Sequence, residues 1–444
     1  MRFHCLDLGV ARFMDGGFFY AIPGKFNLAH LQSGASKLLE IWPELNSRLN
    51  IVGGRLSENR DNGRVLAWQS KTMPHSLSEV FPSVTNNLKG VTPGIDLDTL
   101  LSFPASATDL LNPPILSITA ILLRDACLLA FSMQHPLCDA TGLHHIADGY
   151  FSILSGRPVD PLSSRGEIAL KDEKTPLGTD HEQSSSPGLP SEFTQLQIRA
   201  NAVGWGSLIQ GSLKAAFSKS QQLSSSFRIS SSMLEELRKQ ARMDGLDITL
   251  NDLIMAIVMT ASTASPSWKR LAHDSTQYPT VAFVLNIRRQ IEHDVEVHNP
   301  FVFIEIPHPS LATGHTSGSP TQTLIALAAH VRKTIRNARS MDCLHPLIEL
   351  HRNANGKPMV SQSMFLVTSW GDLPVWQKSF PIEKKTVEPE YVHPFLRTPA
   401  LFRKFGVGRD NYLIISLDKQ GGFWLHGKLE GAVWDELAKI APGK

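Results

Sequence analysis

Apolar residues along the chain fall into two kinds of run. Some are short and continuous, and others recur every three or four positions. Phe18-Phe19-Tyr20-Ala21-Ile22 is of the first kind and predicts a buried strand. Leu28, Leu31, Leu38, Leu39, Ile41 and Trp42 follow at helical spacing, and Pro43 closes that helix. Leu49 to Leu56 and Val65 to Trp68 read as strands. Ile115–Leu123 and Cys127–Met133 are two β-rich runs, with Arg124-Asp125 where a two-residue hairpin turn would fall. His135-Pro136 comes directly after. A helix then starts near Asp139 or Ala140, carries Leu143, Ile146, Ala147, Tyr150, Phe151 and Leu154 on its apolar side, and ends at Gly156-Arg157-Pro158.

From about Ser163 to Pro190 large apolar residues become sparse, and Glu182-Gln183-Ser184-Ser185-Ser186-Pro187-Gly188 reads as a mobile crossover between two halves. The pattern resumes near Ser225. Phe227-Arg228-Ile229 is a short strand, and Ser231 caps a helix through Leu237. Thr249 or Asn251 begins a helix through Met259. Val281–Asn286 and Phe301–Ile306 are strands, and Thr321–Arg336 is helical through Leu324, Ile325, Leu327, Ala328, Val331 and Ile335. Met364–Val367, Tyr412–Leu417 and Phe423–Leu425 are strands, and Leu429–Ile440 is a final helix. Helices and strands alternate in both halves, which predicts α/β or α+β layers. The expected division is 1–180, a linker over 181–224, and 225–444. No internal repeat is visible.

Composition narrows the picture. At 444 residues the chain exceeds one ordinary core, which agrees with two domains. A net charge of +2, with no block of like charges, gives no long-range field for nucleic acid or a membrane surface. Four cysteines, with no Cys-x-x-Cys, do not form a disulfide framework. The start, Met1-Arg2-Phe3-His4-Cys5-Leu6-Asp7, carries no apolar signal core. The longest apolar stretch, Leu250 to Ala261, is interrupted by Asn251 and Asp252 and is too short to span a bilayer. A cytoplasmic protein that holds no metal or prosthetic group is expected.

The segment with most chemistry in it is strand–His135–x-x-x–Asp139–x-x-Gly142–helix. A histidine just past a strand end can project into a cleft, and an imidazole suits proton removal near neutral pH. Asp139, at a helix start, either caps the helix or pairs with a buried arginine and locks the loop. Taken alone, His-x-x-x-Asp is a common pattern. His135, Asp139, His144, His145 and Asp148 also crowd one segment, with His144 and Asp148 at i, i+4. A zinc site is therefore a competing reading, although a ligand set from a single helix is unusual. No phosphate loop or dinucleotide fingerprint occurs, and Gly421-Gly422 reads as a turn.

His135-Pro136-Leu137-Cys138-Asp139-Ala140-Thr141-Gly142 resembles the His-x-x-x-Asp motif of the BAHD acyltransferases, especially the fungal branch that includes trichothecene acetyltransferases. Other segments agree, in the family's order. They are Leu6-Asp7 with Phe18-Phe19-Tyr20, Leu31 to Trp42-Pro43-Glu44-Leu45-Asn46-Ser47-Arg48-Leu49, Thr249-Leu250-Asn251-Asp252-Leu253, Leu285-Asn286-Ile287-Arg288, and Thr368-Ser369-Trp370 with Leu373-Pro374. Gln134 stands where many relatives have a second histidine. The family's Asp-Phe-Gly-Trp-Gly loop has no clear counterpart: the matching stretch reads Ser379-Phe380-Pro381, and Phe405-Gly406-Val407-Gly408 lies farther along.

The resemblance implies an α/β fold of two chloramphenicol-acetyltransferase-like domains with a solvent tunnel between them. His135 would be the general base. Asp139 would point away from substrate and pair with an arginine, here Arg288, with Gly142 supporting the motif. Trp370 and Thr368 would lie near the oxyanion. An acyl-CoA co-substrate, a small-molecule hydroxyl acceptor and a monomer are implied, with an acetyl or short acyl group passing to a secondary metabolite. The altered loop motivates a second reading, the same fold repurposed as a CoA-independent isomerase or cyclase of a polyketide or terpenoid with His135 as base. A peptide-synthetase condensation domain shares the fold and the His-x-x-x-Asp motif. The absence of a carrier domain and the Thr-Ser-Trp segment argue against it. Intact His135 and Asp139 argue against a non-catalytic binding module.

Overall fold

The computed structural model describes residues 15–50, 55–58, 67–81, 91–93, 100, 112–162, 222–273, 279–291, 299–308, 319–354, 365–373, 380–382, 385–397 and 411–441. The expected crossover and Phe405-Gly406-Val407-Gly408 lie outside these residues.

In chain order the first half contains β1 (Asp15–Pro23), α1 (Leu28–Ile41), β2 (Ser47–Asn50), β3 (Arg55–Glu58), β4 (Ala67–Thr72), α2 (Leu77–Val80), β5 (Val91–Pro93), β6 (Leu116–Leu122), β7 (Ala126–Gln134) and α3 (Ala140–Leu154). The second half contains β8 (Gln222–Ile229), α4 (Ser231–Met243), α5 (Leu250–Ser262), α6 (Pro266–His273), β9 (Thr280–Asn286), β10 (Phe301–Pro307), α7 (Pro320–Ala338), α8 (Met341–Ala354), β11 (Leu366–Trp370), β12 (Phe380–Ile382), β13 (Lys385–Val387), β14 (Tyr391–Arg397), β15 (Tyr412–Leu417), β16 (Phe423–Glu430) and α9 (Gly431–Ile440).

Two mixed sheets organise the molecule. A five-stranded sheet runs β14-β1-β7-β6-β4, and a seven-stranded sheet runs β10-β9-β11-β15-β16-β8-β5. Strand order does not follow the chain. β14, late in sequence, pairs antiparallel with β1, while β5, early in sequence, pairs with β8. Each half therefore lends one strand to the other's sheet.

Local chemistry explains the elements that position the site. β6 and β7 close through Arg124-Asp125, with the Leu123 N–H donating to Ala126 O, so the expected two-residue turn is present. Asp139 is the N-cap of α3, its side chain accepting from the Gly142 N–H. Past the end of α3, Gly156 takes φ +70°, a conformation glycine adopts without a Cβ penalty. Thr249 caps α5 in a capping box with Asp252. The cap of α4 is Ser230 rather than Ser231, and that helix continues past Leu237 to Met243.

Period-two alternation splits the buried side chains between cores. Along β1, Phe18, Tyr20 and Ile22 join the cluster formed with α1 and α3, while Phe19 and Ala21 join one with Phe81, Tyr391 and Trp424. Along β11, Val367 belongs to the core beneath α4, α5, α7 and α9, and Trp370 belongs to the cluster of the other sheet. β11 is thus a shared wall between the two sheets.

Candidate active site

β7 ends at Gln134, and the chain turns through His135 and Pro136, with the Leu137 N–H donating to Gln134 O. His135 is half-buried, and its ring meets Phe301 edge-on at a centroid distance of 5.7 Å. Four residues on, the buried Asp139 carboxylate receives the Arg288 guanidinium in fork fashion. Nη1 lies 2.8 Å from Oδ2 and Nη2 lies 3.2 Å from Oδ1, while Oδ1 also accepts the Gly142 N–H at 3.0 Å. Such two-point pairing fixes orientation as well as charge. Burial pushes the Asp139 carboxyl above the usual carboxylate range. Arg288, the Gly142 and Thr141 amides and His135 pull the other way. The contribution of Gly142 to the loop is its backbone N–H.

A second residue, which sequence reasoning missed, grips the same loop. Asn299 is fully buried. Its Oδ1 lies 3.0 Å from His135 Nδ1, and its Nδ2 donates to the carbonyls of His135 and Pro136 at 2.9 and 3.3 Å. Arg288 follows β9 and Asn299 precedes β10. The ladder ends at Asn286–Phe301, the Ile287 N–H still donates to Pro300 O, and Arg288 and Asn299 lie just beyond that end on the two chains. The end at which β9 leads on to β10 therefore holds both ends of the His-x-x-x-Asp loop. No motif surrounds Asn299, and only the strand register could have pointed to it.

The loop opens on a cavity of about 570 Å³ between the sheets, lined by His135, Asp139, Thr368, Trp370, Phe301 and Phe303 among others. Thr368 and Trp370 are two apart on β11 and share a face. Trp370 is buried and meets Phe18 edge-on at 6.2 Å. The structure thus brings His135, Asp139, Thr368 and Trp370 to one cavity, with Arg288 behind Asp139.

The cavity also has a cationic wall that the sequence did not reveal, made of Arg289, Arg332 and Arg339. The buried Nε of Arg332 has no hydrogen-bond partner. Its nearest carboxylates are Asp252, 3.8 Å from Nε, and Asp247, 4.0 Å from Nη2. Burial, then Arg289 and Arg332, depress the Arg339 guanidinium, against the pull of Asp372 and Asp252. Asp252 and Asp372 line the same cavity, and Asp139 is engaged by Arg288, so three guanidinium groups face two remaining carboxylates, a one-charge excess that suits an anionic ligand.

The residues of the zinc reading point elsewhere. The His144 ring lies 3.6 Å from Asp148, and His145 stacks on Trp42 at 5.5 Å. Among the described residues, no group of three or more histidine, cysteine, aspartate or glutamate side chains is placed to hold a metal ion. In the stretch matching the altered loop, Phe380 is a core residue, 4.4 Å from the Phe151 ring and 5.3 Å from Tyr20. Among the described residues no helix is long and apolar enough to cross a membrane.

No family model matches the chain. Acetyltransferase peniE of Penicillium patulum is 22% identical over 249 residues, which are 51% of this chain and 50% of that protein. The match thus spans about half the length of this curated relative. Solved structures match over nearly the whole chain. The F. sporotrichioides TRI101 structure, complexed with coenzyme A and T-2, superposes with a TM-score of 0.63 at 13% identity, covering 98% of this chain and 96% of that one. Vinorine synthase superposes with a TM-score of 0.61 at 13% identity, covering 100% and 93%. The chain has the two-sheet α/β fold of these proteins, in agreement with the fold that the BAHD resemblance implies.

Proposed function

We propose that the protein is an acyl-CoA-dependent O-acyltransferase that moves an acetyl or other short acyl group to a hydroxyl of a secondary metabolite. The observation that carries this reading is the joint lining of one cavity by an imidazole, the Thr368–Trp370 face and three arginines. An imidazole suits removal of a hydroxyl proton, and a polar wall suits a developing oxyanion. The arginines suit the phosphates of coenzyme A. A relative that is an acetyltransferase, and a neighbour that holds coenzyme A with T-2, support the same assignment.

In this reading His135 takes the acceptor's hydroxyl proton as the oxygen bonds to the thioester carbonyl carbon. The tetrahedral oxyanion is held by the Trp370 indole N–H and the Thr368 hydroxyl. The carbon–sulfur bond then breaks, and the proton on His135 passes to the leaving thiolate, giving ester and free coenzyme A. Asp139 and Arg288 hold the loop and take no proton. The two halves, 1–180 and 225–444, supply opposite walls, and the protein acts as a cytoplasmic monomer.

The test is calorimetric titration with acetyl-CoA, coenzyme A and dephospho-coenzyme A, followed by a screen of alcohol acceptors. Micromolar binding of acetyl-CoA is expected, weakened about tenfold or more in Arg332→Ala or Arg339→Ala, as the loss of a charge-assisted contact implies. His135→Ala should lower turnover about 10²–10⁴-fold while leaving donor binding intact. Folded protein that binds none of the three would overturn the CoA reading in favour of an isomerase or cyclase acting without it.

A further inference from the structure

We propose that Gly16 decides which alcohols the cavity accepts, by leaving a notch beside His135 for a branch on the carbon that bears the hydroxyl. The proposal rests on the acyltransferase reading for the nature of the acceptor, while the notch itself is a matter of geometry. Along one face β1 presents Gly16, Phe18, Tyr20 and Ile22, and the last three are large side chains of the core formed with α1 and α3. Gly16 breaks that row where it reaches the cavity. Strand pairing does not call for glycine there. Gly16 is matched to Leu396 on β14 and to Met133 on β7 in unbroken register, and its φ is not positive. Packing among the described residues does not call for it either. A Cβ on Gly16 would lie 3.5 Å from Leu396 Cδ2, 3.6 Å from His135 Cδ2 and 3.8 Å from Met133 Cε, all ordinary contacts. Gly17 is the contrast: a Cβ there would strike the Phe131 carbonyl and the Phe395 ring, so packing alone accounts for that residue. Glycine inside a strand weakens it, and one that neither turn nor packing explains marks a close approach by something else.

The notch lies beside the reacting groups. The His135 ring turns Nδ1 toward Asn299 at 3.0 Å, and the other edge of the ring, at Cδ2, stands over Gly16. An alcohol that meets the imidazole along that edge, with its oxygen about 3 Å from a ring nitrogen, sets its carbinol carbon and the substituents of that carbon over the notch. One position farther along the same face, Phe18 meets Trp370 edge-on at 6.2 Å. The same face of β1 thus touches the imidazole at one position and the Trp370 wall at the next. The near walls of the notch are a methyl of Leu396 and the S-methyl of Met133. A space so lined, with room for one methyl group, suits a methyl or methylene and penalises a hydroxyl. The acceptor class is therefore a secondary alcohol with an apolar branch at the carbinol carbon.

Two ratios test this, one with catalysis and one without it. The parent and Gly16→Ala are given acetyl-CoA with sec-butanol or n-butanol, and kcat/KM is compared. Separately, the imidazole is alkylated at about pH 8 with bromoacetone or with its homologue carrying a methyl on the brominated carbon. A ring nitrogen displaces bromide from an unbranched or a branched carbon, and the extent at His135 is read by peptide mass spectrometry, with the exposed His30 as reference. Filling a space of one methyl costs the group it held about tenfold or more. Gly16→Ala should lower the branched-to-unbranched ratio by that factor in acylation and in alkylation of His135, with the ratio at His30 unchanged. Its Tm should not fall, because the added methyl meets ordinary contacts. Leu396→Val, which trims the facing wall, should move both ratios the other way. Ratios unchanged in Gly16→Ala overturn the inference, as does a Gly16→Ala protein that does not fold, since an open notch admits the methyl. If no alcohol is acylated with any donor while the alkylation ratio falls, the notch stands and the transferase reading falls. If acylation proceeds with its ratio unchanged, the transferase reading stands and the inference falls.

Discussion

At the residue scale, the Asp139–Arg288 pair is where sequence and structure are most tightly bound. The chain sets them far apart, yet the guanidinium forks onto a carboxylate that also caps a helix. Asp139→Ala removes both partners at once and leaves a largely buried cation behind. The expected loss is about 3–5 kcal/mol, measured as a shift in the urea midpoint with unchanged m-value. Asp139→Asn keeps the cap and loses the charge, so it should fall between Ala and the parent. Equal midpoints for Ala and Asn would show that the cap contributes nothing. The carboxylate was legible as a cap from its place before α3, but its arginine was legible only through resemblance. Asn299 was not legible at all, because a lone asparagine acquires meaning only when strand register brings it under the imidazole. The cationic wall was hidden for the same reason: Arg289 follows β9, while Arg332 and Arg339 come from α7 and its C-cap.

At the element scale, the strongly periodic segments were readable and the compromised ones were not. β15 matches its predicted bounds, since Tyr412–Leu417 is apolar except for Ser416 and is flanked by Asn411 and Asp418. α8 went unseen because Pro346 lies inside it, and proline argues against a helix interior. β14 was missed for a related reason: His393-Pro394 interrupts its apolar run. Its position explains the exception. β14 is an edge strand, where a residue that cannot donate a ladder hydrogen bond is tolerated. Its Phe395 ring crosses Gly17 of β1 so closely that a Cβ there would lie 2.4 Å from the ring and 2.4 Å from the Phe131 carbonyl oxygen. Gly17→Ala should therefore cost about 1–3 kcal/mol through forced displacement of the strand. Thermal melts would register this, and an unchanged Tm would mean that β14 yields freely.

At the scale of the whole molecule, buried histidines set the acid limit of the fold. Burial depresses His308 to about 4 and His393 to about 3, and holds His426 well below its ordinary value. His393 and His426 lie 4.5 Å apart at the ring centroids, His393 bonded to the Tyr391 hydroxyl and His426 to the Ser226 hydroxyl. In the unfolded chain these rings take a proton near pH 6.5. Below that pH unfolding binds protons, and stability falls by about 1.4 kcal/mol per pH unit for each ring down to its folded pKa. Asp139 and Asp252, whose carboxyls burial raises, act oppositely and gain stability as pH falls through their folded values. The expected outcome is a Tm that holds above pH 7 and declines steadily below about 6.5. A Tm that is flat from pH 7.5 to 5 would contradict burial of neutral rings.

The exchanged strand also bears on synthesis. A protein leaves the ribosome N-terminus first, and a self-contained first half could fold while the second is still being made. Here β1 receives its outer neighbour only when residues 391–397 emerge. Until then the four earlier strands of that sheet present, along β1, an open ladder of backbone donors and acceptors, the kind of edge on which chains stick to one another. Ribosomes stalled before Tyr391 should therefore carry a chain that chaperones hold and proteases cut, and a stall placed well beyond Arg397, with β14 clear of the ribosome, should show less of both.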